Sequence, residues 1–436
     1  MKRPIDLMRW LLPGLGVKRW LAVAAFGALL IVNGVSRWLT DEGAHVGINE
    51  LVDWVVGDFF SPAYLSYAFV AVGAVLVALG SWRWLNSIVS AVRPYGSERM
   101  IDALLDTRLK RGYKIVTVGG GTGLATLLRG LKKHTSNLSA VVTVSDDGGS
   151  SGRLRRDFDV LPPGDIRNCM VALSQDETLL TRLFQHRFTS GRGLKGHSFG
   201  NLFLTAMTEL TGDFSRAVQF SSEVLSVIGR IYPSTASNVV LEAVLANGRV
   251  LTGESRIGRA TSRIEKVMMR PRRPKPLPET LAAIAQADVI TLGPGSLFTS
   301  VIPNLLVKGI PEAISQSRAL KIYFVNLMSQ PGETVNFSAA DHVRAIQRHC
   351  ECRVIDVCVV NTGRIRGKIL ESYQRQAARV VANDVDELRR LGVDVYAADL
   401  VRLQGVRTGA KIRHDANSIA AVTIELAQGG RERVHK

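Results

Sequence analysis

Six glycine- or amide-rich segments of this 436-residue chain hold residue types that suit phosphate and sugar binding. The first, Gly119-Gly120-Gly121-Thr122-Gly123, follows an apolar run ending at Val118 and precedes a helix-like stretch, Leu124–Lys133. A strand, a glycine turn and a helix start leave backbone N–H groups pointing outward, and absent Cβ atoms let an anion approach closely. The segment is not the dinucleotide fingerprint, because Leu124 stands where the last glycine would be. It is not a Walker loop, because no Gly-Lys-Ser/Thr follows. The plain alternative is a tight turn with no ligand.

The second segment reads Ser145-Asp146-Asp147-Gly148-Gly149-Ser150-Ser151-Gly152-Arg153. At a strand end, Asp146 and Asp147 suit ribose or sugar hydroxyls, or a divalent cation such as Mg²⁺ carrying a diphosphate. The Gly/Ser run suits a second anion nest, with Arg153 and Arg155 as counter-charges. Its alternative is a flexible polar loop. Next, Leu161–Asn168 is a rigid turn presenting Asp165 and Arg167 at a helix start, where Asp165 has the simpler option of an N-cap. Gly196-His197-Ser198-Phe199-Gly200-Asn201 opens another helix, with His197 and Asn201 four apart. Two more strand ends read Leu292-Gly293-Pro294-Gly295-Ser296, with Thr299 and Ser300 close behind, and Asn326–Thr334. Together these loops describe a cleft for a large, polar, phosphorylated ligand. No nucleophile–base pair can be read among them. His349-Cys350-Glu351-Cys352 fits no standard metal spacing.

Such loops need a scaffold that gathers strand ends. From Tyr113 onward, apolar runs at Lys114–Val118, Ser139–Val144, Asp288–Leu292, Lys321–Asn326 and Val354–Val360 alternate with helical stretches. That alternation predicts an α/β fold with a doubly wound, mostly parallel sheet over residues 113–436. The Pro/basic stretch Arg270–Pro278 reads as a solvated connection, or as a contact for anionic lipid headgroups.

Upstream the pattern differs. No charge occurs from Trp20 to Ser36 or from Phe59 to Trp82. A spanning helix needs about 20 apolar residues, so residues 1–91 read as a transmembrane hairpin with spans at about 20–38 and 59–82. Trp20 and Trp38 suit interface anchors. A cleaved signal peptide is the competing reading of the first run, but no small-x-small site follows it. Residues 92–112 read as a juxtamembrane linker with a short amphipathic helix. Lys2, Arg3, Arg9, Lys18 and Arg19 precede the first span, and Arg83, Arg93 and Arg99 follow the second. The outer loop 39–58 is acidic. Both termini are therefore expected on the cytoplasmic side. No charge lies deep in either span, so no transport pathway is indicated.

Composition sets the bounds. With 46% hydrophobic and 21% charged residues the chain is not disordered. A net charge of +17 favours an anionic partner. The basic residues are scattered and not interleaved with aromatics, which argues against nucleic acid. Four cysteines form no disulfide framework.

The motifs GGGTGLATLLRGLKK, VVTVSDDGGSSGRLRRDF, LPPGDIRNC, GHSFGNL, TLGPGSLFTSVIPNLLV and NLMSQPGET, in this order, resemble the gluconeogenesis factor family (the YvcK-like proteins) of the CofD-like superfamily. The resemblance covers about Lys114–His349. It implies a Rossmann-like core that binds UDP-sugars, chiefly UDP-N-acetylglucosamine, and a role in cell shape and cell-wall precursor flux on gluconeogenic carbon. Self-association and contact with regulators of cell-wall synthesis are further expectations. The other branch of the superfamily holds 2-phospholactate transferases. They share the GGTG loop and Asp-Asp pair, but this chain departs from them after Asp147. A regulatory binding protein is thus expected, with a Mg²⁺-assisted transferase as the alternative. In the binding reading, Gly119–Gly123 take the diphosphate, Gly148–Gly152 and Arg153 close around it, and His197, Asn201 and Gly293–Ser296 complete the cleft.

Overall fold

The computed structural model describes residues 17–39, 62–92, 107–175, 179–365, 367–404 and 411–434. The chain divides into two units, Met1–Leu105 and Asp106–Lys436.

Within the first unit, helices α1 (Val17–Leu39) and α2 (Pro62–Val92) pack antiparallel. Both are long and apolar enough to cross a membrane, over Arg19–Ser36 and Ser66–Asn86. Glycine sets their spacing. A Cβ on Gly73 would lie 2.6 Å from the Gly27 carbonyl oxygen, and one on Gly34 would lie 2.9 Å from that of Ser66. Small residues of this kind let apolar helices approach backbone to backbone. Leu29, Val32, Tyr64 and Val75 are exposed on the outer faces. The Arg83 guanidinium sits 5.1 Å from the Trp20 ring centroid. The Trp38 side chain, the expected acidic loop at 40–58 and residues 93–106 of the expected linker lie outside the described residues.

The second unit is built on seven parallel strands: β1 (Ile115–Gly119), β2 (Leu138–Val142), β3 (Arg230–Pro233), β7 (Val289–Leu292), β8 (Leu320–Phe324), β9 (Val357–Asn361) and β10 (Asp394–Ala398). Their order is β10-β9-β8-β7-β1-β2-β3. All five apolar runs singled out in the sequence are strands of this sheet. β1 and β7 are buried along their whole length, as expected when helices cover both faces. The chain winds outward from β1 through β2 to β3, then returns to β7 beside β1 and winds the other way. β1 and β7 therefore flank the topological switch point, where crossing loops part and leave a crevice at the strands' carboxyl ends.

Between β3 and β7 lies an antiparallel sheet of β4 (Val240–Leu245), β5 (Val250–Thr252) and β6 (Ile264–Arg270). Only one face of β4 is buried, through Leu241, Ala243 and Leu245. The chain closes with an antiparallel hairpin, β11 (Val401–Gln404) and β12 (Lys411–His414).

Candidate functional site

The switch point gathers the glycine loops. After β1, Gly120 leads into α3 (Gly121–Leu131), whose first residue has φ +64°. After β7, Gly293–Ser296 lead into a single π-turn, Leu297–Val301, and then the short helix Ile302–Leu305. Such π-turns recur at functional sites. The two loops touch: a Cβ on Gly123 would overlap the Pro294 carbonyl oxygen. Asn304 ties them from behind, its Nδ2 donating to the carbonyls of Gly119 (3.0 Å) and Ser300 (2.7 Å). The loop after β8 braces the second. Gln330 Nε2 donates to Ser296 Oγ at 2.8 Å. Buried Glu333 accepts from the Phe298 N–H and from Thr299 Oγ1 at 3.3 and 3.1 Å, meeting free donors at the start of the π-turn.

A cavity of about 280 Å³ opens between these loops, lined by Gly120–Gly123, Pro294–Ser296 and Asn326–Pro331. Its far wall was not legible in the sequence. It consists of Tyr373 and Gln376, at and just beyond the end of the helix Lys368–Gln374, together with Ile412, Arg413 and His414 of β12. These residues follow no glycine loop, so no local signal marked them. Gly119 and Gly293 lie at the loop bases behind the lining residues.

The other candidates form a second cluster that does not line this cavity. Asp146 Oδ1 accepts from the Gly148 N–H at 2.8 Å. Asp147 Oδ1 accepts from the Ser255 N–H at 2.8 Å, latching the turn Glu254–Ile257 from the antiparallel sheet. Gly148 caps the helix Gly149–Phe158, so the Gly/Ser run is a helix start and not a flexible loop. Asp165 is not the N-cap of its helix, Gly164–Leu173; Pro163 holds that place. The Asp165 carboxylate reaches under the first loop and accepts from the Gly121 N–H. A Cβ on Gly120 would lie 2.7 Å from Asp165 Oδ2.

Like charge is concentrated here. Burial and then Asp146 push Asp165 up to about 6. Burial, with Asp146, Asp165, Glu333 and Asp147 after it, pushes Glu254 up to about 8. Burial pushes Glu333 up to about 7. Glu254 was not foreseen: a single glutamate after a short strand gives no motif. Among the described residues no three His, Cys, Asp or Glu side chains converge to hold a metal ion. Asp146 and Asp147 each accept a backbone N–H on one carboxylate oxygen.

Beyond the carboxylates, Ser150 Oγ is hydrogen-bonded to His197 Nδ1 at 3.0 Å and accepts from Asn201 Nδ2 at 3.1 Å. Burial and nearby Arg153 lower the His197 pKa, favouring the neutral imidazole. Arg167 Nη1 donates to Ser198 Oγ, the N-cap of the helix Phe199–Thr211, at 2.6 Å. Arg153 Nη2 donates to the Lys195 carbonyl at 2.9 Å. The GHSFGN turn is thus pinned onto the helix start at Ser150. Gly149 has φ +48° with open space around it.

A doubly wound sheet with glycine loops parted at the switch point, an acidic strand end after β2 and a pinned GHS turn define a CofD-like α/β protein. The family model for 2-phospho-L-lactate transferase CofD matches residues 115–401. The chain is 47% identical over 313 residues to the gluconeogenesis factor of Bacillus subtilis, covering 72% of this chain and 98% of that one. A relative from Nostoc sp. is 47% identical over 426 residues, 97% of this chain and 92% of the relative. The crystal structure of a Bacillus halodurans protein superimposes with a TM-score of 0.69 at 46% identity, covering 72% of this chain and 99% of that one. The chain belongs to the gluconeogenesis factor family.

Proposed function

We propose that the chain is a membrane-anchored, cytosol-facing protein that binds a UDP-sugar, UDP-N-acetylglucosamine above all, and acts through regulation. The observation that carries this reading is the crevice at β1 and β7. Two glycine loops there expose backbone donors, as a diphosphate requires. Arg413 supplies a cation on the facing wall, and Tyr373 offers a ring for stacking. The hydroxyls and amides of Ser296, Ser329 and Gln330 suit sugar oxygens. A role in cell shape and cell-wall precursor flux on gluconeogenic carbon follows from the resemblance to the family, as do self-association and regulatory partners. The two apolar helices support the anchor, and the flanking charges support cytoplasmic termini.

One observation favours a second reading. The carboxylate pair Asp146 and Asp147 follows β2 beside the first loop, and such a pair could carry a cation that stabilises a leaving phosphate. Calorimetry of residues 113–436 against a panel of nucleotide sugars tests the first reading. Tight, selective binding of a UDP-sugar with no release of UDP or UMP over a long incubation with Mg²⁺ supports it. Nucleotide release above the no-protein control, abolished by Asp147→Asn, favours the transferase.

A further inference from the structure

Two sequence features that play no part in the cleft meet at a different cavity. The Pro/basic stretch at Arg270–Pro278 and the His349-Cys350-Glu351-Cys352 run line the same pocket of about 670 Å³. Its cations are Lys266 on β6, Arg272 and Arg273 on the basic loop, and Lys308 beyond the helix Ile302–Leu305. None of the four forms an ion pair among the described residues, whereas neighbouring Arg270 is paired with Glu242 at 2.7 Å. Two carboxylates, Glu312 and Glu351, also line the pocket. Four cations against two carboxylates leave two positive charges in excess.

The backbone carrying these cations is fixed. The Lys308 N–H donates to the Pro274 carbonyl at 3.0 Å, and Thr235 Oγ1 donates to that of Lys275 at 2.6 Å. His349 clamps the opposite wall, its Nε2 accepting from the Val267 N–H at 3.0 Å. Burial, and after it Lys266 and Arg348, hold the His349 pKa down. Burial pushes the Cys350 thiol up to about 12, so it adds no negative charge. The volume exceeds what a single ion needs and falls within the range of small-molecule sites.

We propose that this pocket binds a phosphate-bearing ligand, free in solution or as the headgroup of an anionic lipid, through Lys266, Arg272, Arg273 and Lys308. The site is separate from the UDP-sugar cleft and does not depend on that reading. Residues 113–436 serve for the test, because the Bacillus relatives consist almost wholly of this part and one of them is a crystal structure.

Inorganic pyrophosphate is titrated calorimetrically into Gly121→Val, which strains the first glycine loop at φ +64°, and into Gly121→Val carrying Arg272→Gln and Arg273→Gln. The expected result is binding to the first that weakens at least tenfold in the second. Circular dichroism confirms that both are folded. Sedimentation with phosphatidylglycerol vesicles, against phosphatidylcholine controls, assigns the source. Pelleting that pyrophosphate reverses and the arginine changes abolish identifies a headgroup site. Pyrophosphate binding without pelleting identifies a soluble ligand. Affinity unaltered by the arginine changes overturns the proposal, as does failure of Gly121→Val to bind both pyrophosphate and vesicles.

Discussion

Gly121 and Asp165 meet at the start of α3 and pull on the site in opposite ways. Gly121 holds φ +64°, a region where a β-branched side chain is strained, on the rim of the cavity. Gly121→Val should lower UDP-sugar affinity at least tenfold while far-ultraviolet circular dichroism stays unchanged; calorimetry of full affinity would remove the loop from the site. Asp165 sits beneath the same loop as one of three raised carboxyls, at about 6, with Glu333 at about 7 and Glu254 at about 8. Each raised group binds protons more tightly in the folded chain than in the unfolded one, whose carboxyls titrate near about 4. Their contribution to stability is complete below that range and is lost as pH rises through about 6, 7 and 8. Thermal melts should therefore show a falling midpoint from about pH 5 to about pH 8.5. Glu254→Gln should flatten the upper part of the fall. A profile that rises over that window would contradict the assignment. The glycines were legible because a strand running into consecutive glycines has few structural uses. Glu254 was not, because a sheet inserted far along the chain carries it there; Glu333 lies within the Asn326–Thr334 loop that the sequence did mark.

Elements were legible in proportion to how completely they are buried. β1, β2, β7, β8 and β9 read as unbroken apolar runs because helices cover both faces of the sheet. The edge strands β3 and β10 include polar or half-exposed positions such as Arg230 and Asp394, and gave no such run. The antiparallel sheet β5-β4-β6 buries only one face of β4, and Glu242 interrupts its pattern. The hairpin β11–β12 was equally silent, yet it brings Arg413 and His414 to the cavity. Its role is open to a direct measurement. Arg413→Ala removes a charged donor from the wall facing the glycine loops. Loss of one charge-assisted hydrogen bond is worth about 1.5–3 kcal/mol, so the dissociation constant for UDP-N-acetylglucosamine should rise by at least tenfold. Melting temperature should be unchanged, because Arg413 is exposed and forms no ion pair among the described residues. Unaltered affinity would remove the hairpin from the site. In the first unit, α1 and α2 meet at Gly27 and Gly73, where either Cβ would collide with the partner backbone.

At the scale of the whole molecule, the family divides by what precedes the sheet. The relative from Nostoc aligns along 97% of the chain, whereas the Bacillus subtilis protein aligns over 313 residues that make up 98% of its own length. An alignment of that size exceeds the first unit and fits the second, which also holds the family-model match at residues 115–401. The glycine-loop cavity thus belongs wholly to the shared part, and the two apolar helices precede that part in the sequence. Under the proposed function, they would tether a UDP-sugar-binding domain to the membrane surface. Two outcomes follow. Residues 113–436 should bind UDP-N-acetylglucosamine with the affinity of the full chain and remain in the supernatant after ultracentrifugation of cells lysed in high salt, which releases any headgroup contact. The full chain should pellet and resist extraction by high salt, because about 20 apolar residues per span hold it through hydrophobic burial and not through charge. The proposed orientation rests on the basic flanks, Lys2 to Arg19 before the first helix and Arg83 to Arg99 around and beyond the end of the second, against acidic residues between them. Reporter fusions at Gly47 should report the outer side and fusions at Lys436 the cytoplasm. A cytoplasmic signal at Gly47 would mean that the helices lie on the membrane or fold with another partner. Release of the full chain by salt alone would mean that its basic surface, and not the helical pair, carries the attachment.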